Sequence, residues 1–410
     1  MIFNQFTTKD TLKLIYNGIV LLSLFIFFSA QPFHRATVIS SSTALWLCGL
    51  LILPHYLKNK AFDKKEVVLY IIGGGTFFIC LTSWLGSDYF NNQFKVIEPD
   101  ARFLLFPLTV IAIRYSGLTL QHLAMALFFG SIAYIYITYT TPHGRVSGDE
   151  NAVTFGNGAM LLAVVSSCLA LMERNKFFTA VLIISAVGYF YASYSSGTRG
   201  SFVAIPPLFI LFFYFTTKKI RILLTILLIT GVIALGQTPM GSRIKTAGNN
   251  FINFLTKDEI QNSTGIRLHM WQAAYCLNQE NPWLGKGPHQ YKKAIQDENT
   301  ACKVKLVSVQ AHSFYFNALA TIGFIGLAAM LTFFMYLVYY SWSLPLAAKI
   351  TIPAAVLTIL SYGITVDLFF HRYLADKHLT LLAVLLGLAL NFRNNSRTAE
   401  TTSLRHPTTC

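Results

Sequence analysis

Apolar stretches of roughly the length that crosses a lipid bilayer follow one another along most of this chain. A helix of about 20 apolar residues spans the hydrocarbon core, so each stretch is predicted to be a membrane-spanning helix. The pattern predicts about twelve spans: 13–30, 37–54, 66–84, 102–113, 118–140, 152–172, 177–195, 201–216, 222–236, 312–340, 350–368 and 378–391. The predicted fold class is therefore an all-α polytopic integral membrane protein.

One long polar segment, 237–311, interrupts the spans and divides the chain into regions. Residues 1–236 contain the first nine predicted spans, residues 312–391 contain the last three, and residues 392–410 form a polar tail that is predicted to be disordered. A connection of this length is usually functional when it has helices of its own. The polar segment is therefore expected to contribute to an active site.

Within the polar segment, Ile266–Leu277 has the apolar spacing of an amphipathic helix. Ser263 or Thr264 is the predicted N-cap, and Asn281-Pro282 ends the pattern. We expect the polar segment to be a helical unit rather than a linker. The side chains predicted to share its apolar face are Ile266, Met270, Ala273 and Leu277.

The composition agrees with a membrane location, because 54% of the residues are hydrophobic and only 12% are charged. The net charge of +15 does not require nucleic acid, since Lys and Arg in short loops mark the cytoplasmic side of a membrane protein. The basic stretches 58–65, 174–176, 218–221 and 393–405 all fall on one side of a twelve-span chain. Both termini are therefore predicted to be cytoplasmic and the polar segment periplasmic.

Six cysteines are present, and no two of them form a C-x-x-C pair, so a zinc site is not expected. Cys276 and Cys302 both lie in the polar segment. The oxidising periplasm would allow them to form a disulfide, although two free thiols remain the alternative. The sequence leaves this choice open.

Two arginines stand where a span meets the polar side of the chain. Arg199 lies between Gly197 and Gly200 at the start of a predicted span, and Arg267 lies one turn before Trp271. An arginine at a span edge often snorkels to the lipid headgroups, and one on an amphipathic helix is often simply solvated. The functional alternative is phosphate capture, because the guanidinium fork matches phosphate oxygens.

His312 begins the long apolar span after the polar segment. A neutral imidazole can accept a proton near neutral pH, which activation of a hydroxyl group requires. The structural alternative is a histidine bonded to a backbone carbonyl at a helix end. Composition alone does not distinguish His312 from the other histidines of the predicted outer face, which are His269, His289, His371 and His378.

Five motifs together resemble one family. They are Ser196–Gly200, Gly265–Trp271, Asn281–Gly287, His312–Asn317 and Gly323–Leu327. In order, in spacing and in the twelve-span layout, the chain resembles the O-antigen ligases of Gram-negative bacteria. These belong to the O-antigen ligase/polymerase superfamily of membrane glycosyltransferases of the GT-C type. The resemblance covers essentially the whole chain, and its specificity lies in the set of motifs rather than in any one.

This resemblance implies an inner-membrane enzyme with undecaprenyl-pyrophosphate-linked O-antigen as donor and lipid A–core oligosaccharide as acceptor. It implies that Arg199 and Arg267 bind the donor pyrophosphate and that His312 is the catalytic base. Transfer would be inverting, with no metal and no cofactor. One departure concerns the helix after the histidine, where many relatives carry a glutamate and this chain has Asn317 and Thr321. The group that orients His312 is therefore left open.

The anionic acceptor would need basic partners, for which the sequence offers a group of candidates on the predicted outer face. They are Lys286, Lys292, Lys293 and Arg145, with Arg243 and Lys245 extending the same basic rim. The alternative is that these side chains are solvated surface.

Three rival functions are weighed against the ligase. An O-antigen polymerase shares the superfamily, donor and layout. A transporter or flippase would carry ionisable residues in mid-span and paired broken helices, whereas here the charges lie mainly at span ends. A membrane scaffold would leave the arginines and the histidine without a role.

Overall fold

The computed structural model describes residues 8–59, 62–90, 94–141, 145–149, 151–257, 261–302, 308–369 and 372–405. Within this part of the chain all regular structure is helical, with no strand, and the helical share is 79%. The α-helices in chain order are α1 Thr8–Ala30, α2 Arg35–Lys58, α3 Lys64–Leu85, α4 Ala101–Tyr115, α5 Leu120–Thr140, α6 Ala152–Met172, α7 Lys176–Ser195, α8 Arg199–Phe202, α9 Ile205–Phe215, α10 Lys218–Gly236, α11 Pro239–Lys257, α12 Ser263–Glu280, α13 Tyr291–Gln296, α14 Phe314–Ser341, α15 Leu346–Tyr362 and α16 Arg372–Arg405.

Eight helices in the described part are long and apolar enough to cross a membrane, namely α1, α2, α3, α5, α6, α7, α14 and α16. The other four predicted spans coincide with α4, α9, α10 and α15, which are 11 to 19 residues long. The predicted polytopic, all-helical fold class is confirmed.

The predicted span 201–216 is not one continuous helix. The short helix α8 ends at Phe202, and α9 starts only at Ile205. Pro206 and Pro207 occupy the first turn of α9, where their missing N–H groups cost nothing. Because of this break, Arg199 lies on a short separate helix at the end of the bundle.

The last helix is longer at both ends than the sequence predicts. Phe369–Lys377 is predicted to be a loop, but α16 starts at Arg372, so Asp376 is helical and fully buried. Its Oδ1 accepts from Arg102 Nε at 2.6 Å, which compensates for the burial. The tail is predicted to be disordered, yet α16 continues to Arg405, because no Gly or Pro follows Arg393 before that point.

The polar segment contains α11, α12 and α13. The predicted helix Ile266–Leu277 is confirmed as the centre of α12, with Met270, Ala273 and Leu277 buried. Its N-cap is Asn262 rather than Ser263 or Thr264, because the Asn262 carboxamide oxygen accepts the N–H groups of the first turn. A disulfide joins Cys276 of α12 to Cys302, with a Cα–Cα distance of 5.6 Å.

The Pro282–Gly287 turn packs on a kink in α14 at Gly323, where φ is 67°. Phe324 N–H donates to Pro282 O at 2.8 Å, and Gly287 N–H donates to Thr321 O at 2.8 Å. A Cβ on Gly323 would lie 2.3 Å from a backbone oxygen of the turn, so only glycine fits at this approach. Two motifs of the sequence are therefore one packed unit.

Alternate connections of the bundle meet at the end that holds the polar segment. The Asp149 N–H donates to Pro32 O at 3.2 Å, which joins the connection after α5 to the one after α1. The Phe314 N–H donates to Gly363 O at 2.8 Å, which joins the start of α14 to the end of α15. The motif residues are thus gathered at one end of the molecule.

Candidate functional site

A cavity of about 310 Å³ opens between α8, α11, α12 and the connection from α15 to α16. We call it the arginine cavity, because four arginines from separate parts of the chain line it. They are Arg145, Arg199, Arg243 and Arg267. Most of the other lining residues are small or polar, and no Asp or Glu is among the described residues that line it.

Two of these arginines are fixed by bonds to the Ser196–Gly200 motif. Arg145 Nε donates to Ser196 O at 3.1 Å, and Arg243 Nη1 donates to Gly197 O at 3.1 Å. Gly197 has a φ of 63°, and a Cβ there would lie 2.3 Å from Arg243 Nη1. The positive φ therefore favours glycine at this turn, and the missing side chain leaves room for the guanidinium of Arg243.

Arg199 connects three helices at the mouth of the cavity. Its Nη1 donates to Arg243 O on α11 at 2.7 Å, and its Nη2 donates to Ser263 Oγ on α12 at 3.3 Å. Arg267 lies one turn further along α12. The two arginines that the sequence singled out therefore share one cavity, as do two that it had placed among the candidates for acceptor binding or on the basic rim.

The electrostatics of the cavity favour an anionic ligand. The pKa of Arg267 is lowered, first by burial and then by the charges of Arg199 and Arg145. The pKa of Arg145 is lowered by burial and by the charges of Arg243 and Arg199. No carboxylate among the described residues pairs with these guanidinium groups, so their charges repel one another. An anion with several oxygens would relieve that repulsion.

His312 lies just before α14 with its backbone in the left-handed region, at a φ of 54°. This conformation costs a non-glycine residue about 1–3 kcal/mol, so the surroundings must hold it. The imidazole Nε2 lies 3.2 Å from Ser308 Oγ. The pKa of His312 is lowered below 6.5, first by burial and then by the charge of Arg267. The ring is therefore neutral at neutral pH and able to accept a proton.

Asn317 connects the backbone beside His312 to a buried carboxylate. Its Oδ1 accepts the Ala311 N–H at 3.2 Å, and its Nδ2 donates to Asp367 Oδ2 at 2.6 Å. Asp367 Oδ1 also accepts the Phe369 N–H at 3.1 Å. Asn317 is 6% exposed and Asp367 is 4% exposed. These hydrogen bonds hold the backbone turn before α14, in which His312 lies.

Sequence reasoning missed Asp367, although a signal was present. Asp367 is a single acid near the end of the predicted span 350–368, and an ionisable residue inside an apolar span is by default a candidate for function. What the sequence lacked was its contact with Asn317, 50 residues earlier in the chain.

The aromatic pair Trp271 and Phe316 fixes α12 against the start of α14. The two rings stack with centroids 5.0 Å apart and an interplanar angle of 12°. Trp271 follows Arg267 by one turn, and Phe316 follows His312 by four residues. The stack therefore helps to keep α12, which carries Arg267, beside the backbone turn that contains His312.

The remaining candidates lie elsewhere. Lys286 Nζ is paired with Glu280 Oε2 at 2.8 Å, and Lys292 and Lys293 are exposed on α13. Neither lysine of α13, nor Lys286, lines the arginine cavity. Of the other histidines, His269 lies on α12, His289 borders a small cavity of about 30 Å³, His378 bonds Tyr362, and His371 falls outside the described residues.

The fold and this site define a polytopic helical membrane protein with a cationic cavity and a neutral histidine at one end of its bundle. Residues 180–331 match the family model described as O-antigen ligase, and this match supports the O-antigen ligase family for that segment. The matched segment runs from α7 into α14 and includes Arg199, Arg267 and His312. The family comprises membrane glycosyltransferase-like enzymes, ligases and polymerases, that act on lipid-linked polysaccharides.

The chain is also similar to an uncharacterized protein of Haemophilus influenzae. The two are 25% identical over 346 residues, which is 78% of this chain and 84% of the relative. The similarity extends well beyond the matched segment, so it includes much of the bundle as well as the site.

Proposed function

We propose that this protein is an O-antigen ligase of the cell inner membrane. It transfers O-antigen polysaccharide from undecaprenyl pyrophosphate to a sugar hydroxyl of lipid A–core oligosaccharide, in lipopolysaccharide biosynthesis. The termini are cytoplasmic and the arginine cavity faces the periplasm. The observation that supports this proposal most is the cavity itself, where four arginines converge and the charge of one acts on His312.

The donor pyrophosphate occupies the arginine cavity. Arg199 and Arg267 bind its oxygens, and Arg145 and Arg243 complete the cationic wall. Arg145 was expected among the acceptor-binding residues, but its position beside Arg199 favours the donor. As the sugar–pyrophosphate bond breaks, negative charge grows on the leaving group. Guanidinium N–H groups that are already in place stabilise that charge with little reorganisation.

His312 activates the acceptor. The hydroxyl oxygen attacks the anomeric carbon of the donor sugar from the face opposite the pyrophosphate, and His312 takes the hydroxyl proton. One C–O bond forms, the bond to the pyrophosphate oxygen breaks, and undecaprenyl pyrophosphate leaves with the electron pair. Because attack is in line, the anomeric configuration inverts. Charge on the leaving group is balanced by the arginines rather than by a metal.

Asn317 and Asp367 position this base and take the place of the missing glutamate. They do not reach the ring but fix the Ala311 N–H directly before it. Through that bond the strained φ of His312 is maintained, and the imidazole is held where a bound hydroxyl can reach it.

We expect Asn317→Leu to lower kcat by up to about 100-fold, since a displacement of a catalytic group by about 1 Å can cost that much. The KM for the donor should change little, because the arginines are untouched. Steady-state kinetics at several donor concentrations measure both.

Thr321→Val is the matched control for this prediction. Thr321 lies one turn further along α14 and is similarly buried, but among the described residues its hydroxyl bonds the Asn317 carbonyl within the same helix and not Ala311 or Asp367. It should retain wild-type kcat. Equal losses in the two variants, or a loss confined to KM, would show that Asn317 has a general packing role.

The acceptor is proposed to approach from the side of α13. Lys292 and Lys293 are exposed there and free to meet phosphate groups of the core. Lys286 is a weaker candidate, because Glu280 already neutralises it.

The proposal is tested with purified protein, undecaprenyl-pyrophosphate-linked O-antigen and lipid A–core, in the presence of EDTA. We expect lipopolysaccharide of increased size on a gel, released undecaprenyl pyrophosphate, and no loss of rate under chelation. Core lacking the acceptor sugar is the matched negative control.

Two other outcomes would contradict it. If the donor were extended into longer lipid-linked polymer while the core stayed bare, the activity would be that of a polymerase. If ligation stopped with EDTA and returned with a divalent cation, the metal-independent mechanism would be wrong, although the ligase assignment would stand.

A further inference from the structure

Helix α11 exposes a row of large apolar side chains. Ile244, Phe251 and Leu255 follow one another at seven- and four-residue intervals, which puts them on one face of the helix. They are 47%, 45% and 66% exposed, and Ile252 beside them is 57% exposed. Water would be an unfavourable environment for such a row. We call these four side chains the apolar stripe.

The opposite face of α11 is polar and forms a wall of the arginine cavity. Ser242, Arg243, Thr246 and Asn250 line the cavity at helical spacing. This face is also fastened to α8, because Arg243 Nη1 donates to Gly197 O and Arg199 Nη1 donates to Arg243 O. The stripe therefore points away from the cavity while the helix is held against it.

The position of α11 in the chain indicates what covers the stripe. Only Gln237 and Thr238 separate it from α10, Lys218–Gly236. A helix of that length rises about 28 Å at 1.5 Å per residue, close to the hydrocarbon thickness of roughly 30 Å. Because α10 is the ninth predicted span, we infer that the start of α11 lies at the boundary between hydrocarbon and headgroups.

We propose that α11 lies along the membrane surface with the apolar stripe in the phospholipid bilayer and the polar face closing the arginine cavity. A helix with one apolar and one polar face lies in this way at the headgroup–acyl boundary. Lys245 and Lys257 of the same helix suit anionic headgroups. The placement itself does not depend on the proposed function.

One consequence does rest on the proposed function. The wall that carries Arg243 sits at headgroup depth, so the cavity opens where a membrane-anchored pyrophosphate lies. The donor can then enter sideways from the bilayer and does not have to leave it.

The test places the photocrosslinking amino acid p-benzoylphenylalanine at position 255 or, as a control, at position 249. Leu255 belongs to the stripe, whereas Asn249 is exposed on a polar face of the same helix. The full-length protein is reconstituted in nanodiscs of phosphatidylethanolamine and phosphatidylglycerol without donor. After irradiation, mass spectrometry of the α11 peptide counts phospholipid adducts.

We expect several-fold more phospholipid adduct at position 255 than at position 249. Equal amounts at both positions, or none at 255, would overturn the proposal. A protein–protein adduct at position 255 would also overturn it, because a second copy of the chain would then cover the stripe. The adduct count needs no enzymatic activity, so its outcome is separate from that of the ligation assay.

Discussion

Replacing His312 by alanine or asparagine is expected to abolish most ligation while leaving donor binding intact. Positioned general bases typically accelerate the reaction by about 10²–10⁴-fold. We therefore expect kcat to decrease by a factor in that range. Arg199 and Arg267 are unchanged in both variants, so the affinity for the donor should remain. Single-turnover ligation measures the chemical step, and binding of radiolabelled donor measures the affinity.

Asparagine is the more informative replacement, because the backbone of His312 is in the left-handed region, which asparagine tolerates better than alanine does. The structure also offers a matched control. His289 is the other described non-glycine residue with positive φ, at 59°. His289→Asn therefore makes the same side-chain replacement at the same backbone conformation. The loss of ligation activity in His289→Asn should be much smaller than in His312→Asn. Full ligation by His312→Asn would remove His312 as the base and leave the family unchanged.

The twelve apolar stretches could be recognised because burial in lipid leaves a one-dimensional signal that needs no knowledge of contacts. The same holds for α12, whose apolar face repeats at helical spacing. The errors fall where local pattern and tertiary structure compete. Two prolines divide the eighth stretch into α8 and α9, and Arg102 pairs with Asp376 so that a charged turn becomes the buried start of α16.

The site was partly predictable for a different reason. Arg199, Arg267 and His312 were chosen by resemblance, and each lies in a short motif. Arg145, Arg243 and Asp367 have no such motif around them. They join the site only because the chain brings the connections after α5 and α15 and the helix α11 to one end of the bundle. Contacts between residues 46 to 51 positions apart are not visible in any local window.

In the proposed mechanism, the charge of Arg267 acts on both the donor and the base. As a cavity wall it repels its neighbours when the cavity is empty, which prepares the site for an anion. Burial is the larger cause of the lowered pKa of His312, and the charge of Arg267 adds to it, so both favour the unprotonated imidazole. In the proposed mechanism, one residue therefore couples binding of the leaving group to the protonation state of the base.

This coupling predicts a double effect for Arg267→Gln. Loss of one preorganised hydrogen-bond donor to a developing anion lowers the rate by about 10²–10³-fold. We therefore expect kcat/KM to fall by a factor of that order. The pKa of His312 should also rise, because the nearby positive charge that lowered it is gone. In the profile of kcat/KM against pH, which reports the free enzyme, the acid limb should therefore move to higher pH.

Arg145→Gln separates the two effects. Arg145 lines the same cavity, but its charge is not among the causes that shift the pKa of His312. This variant should lose kcat/KM with its acid limb in the wild-type position. Arg267→Lys keeps the positive charge but not the forked guanidinium. Its acid limb should therefore also stay at the wild-type pH. The pyrophosphate titrates equally in all four profiles, so the ratio to wild type isolates the enzyme group. If the limb moved by the same amount in Arg145→Gln and Arg267→Gln, the direct action of Arg267 on His312 would be refuted.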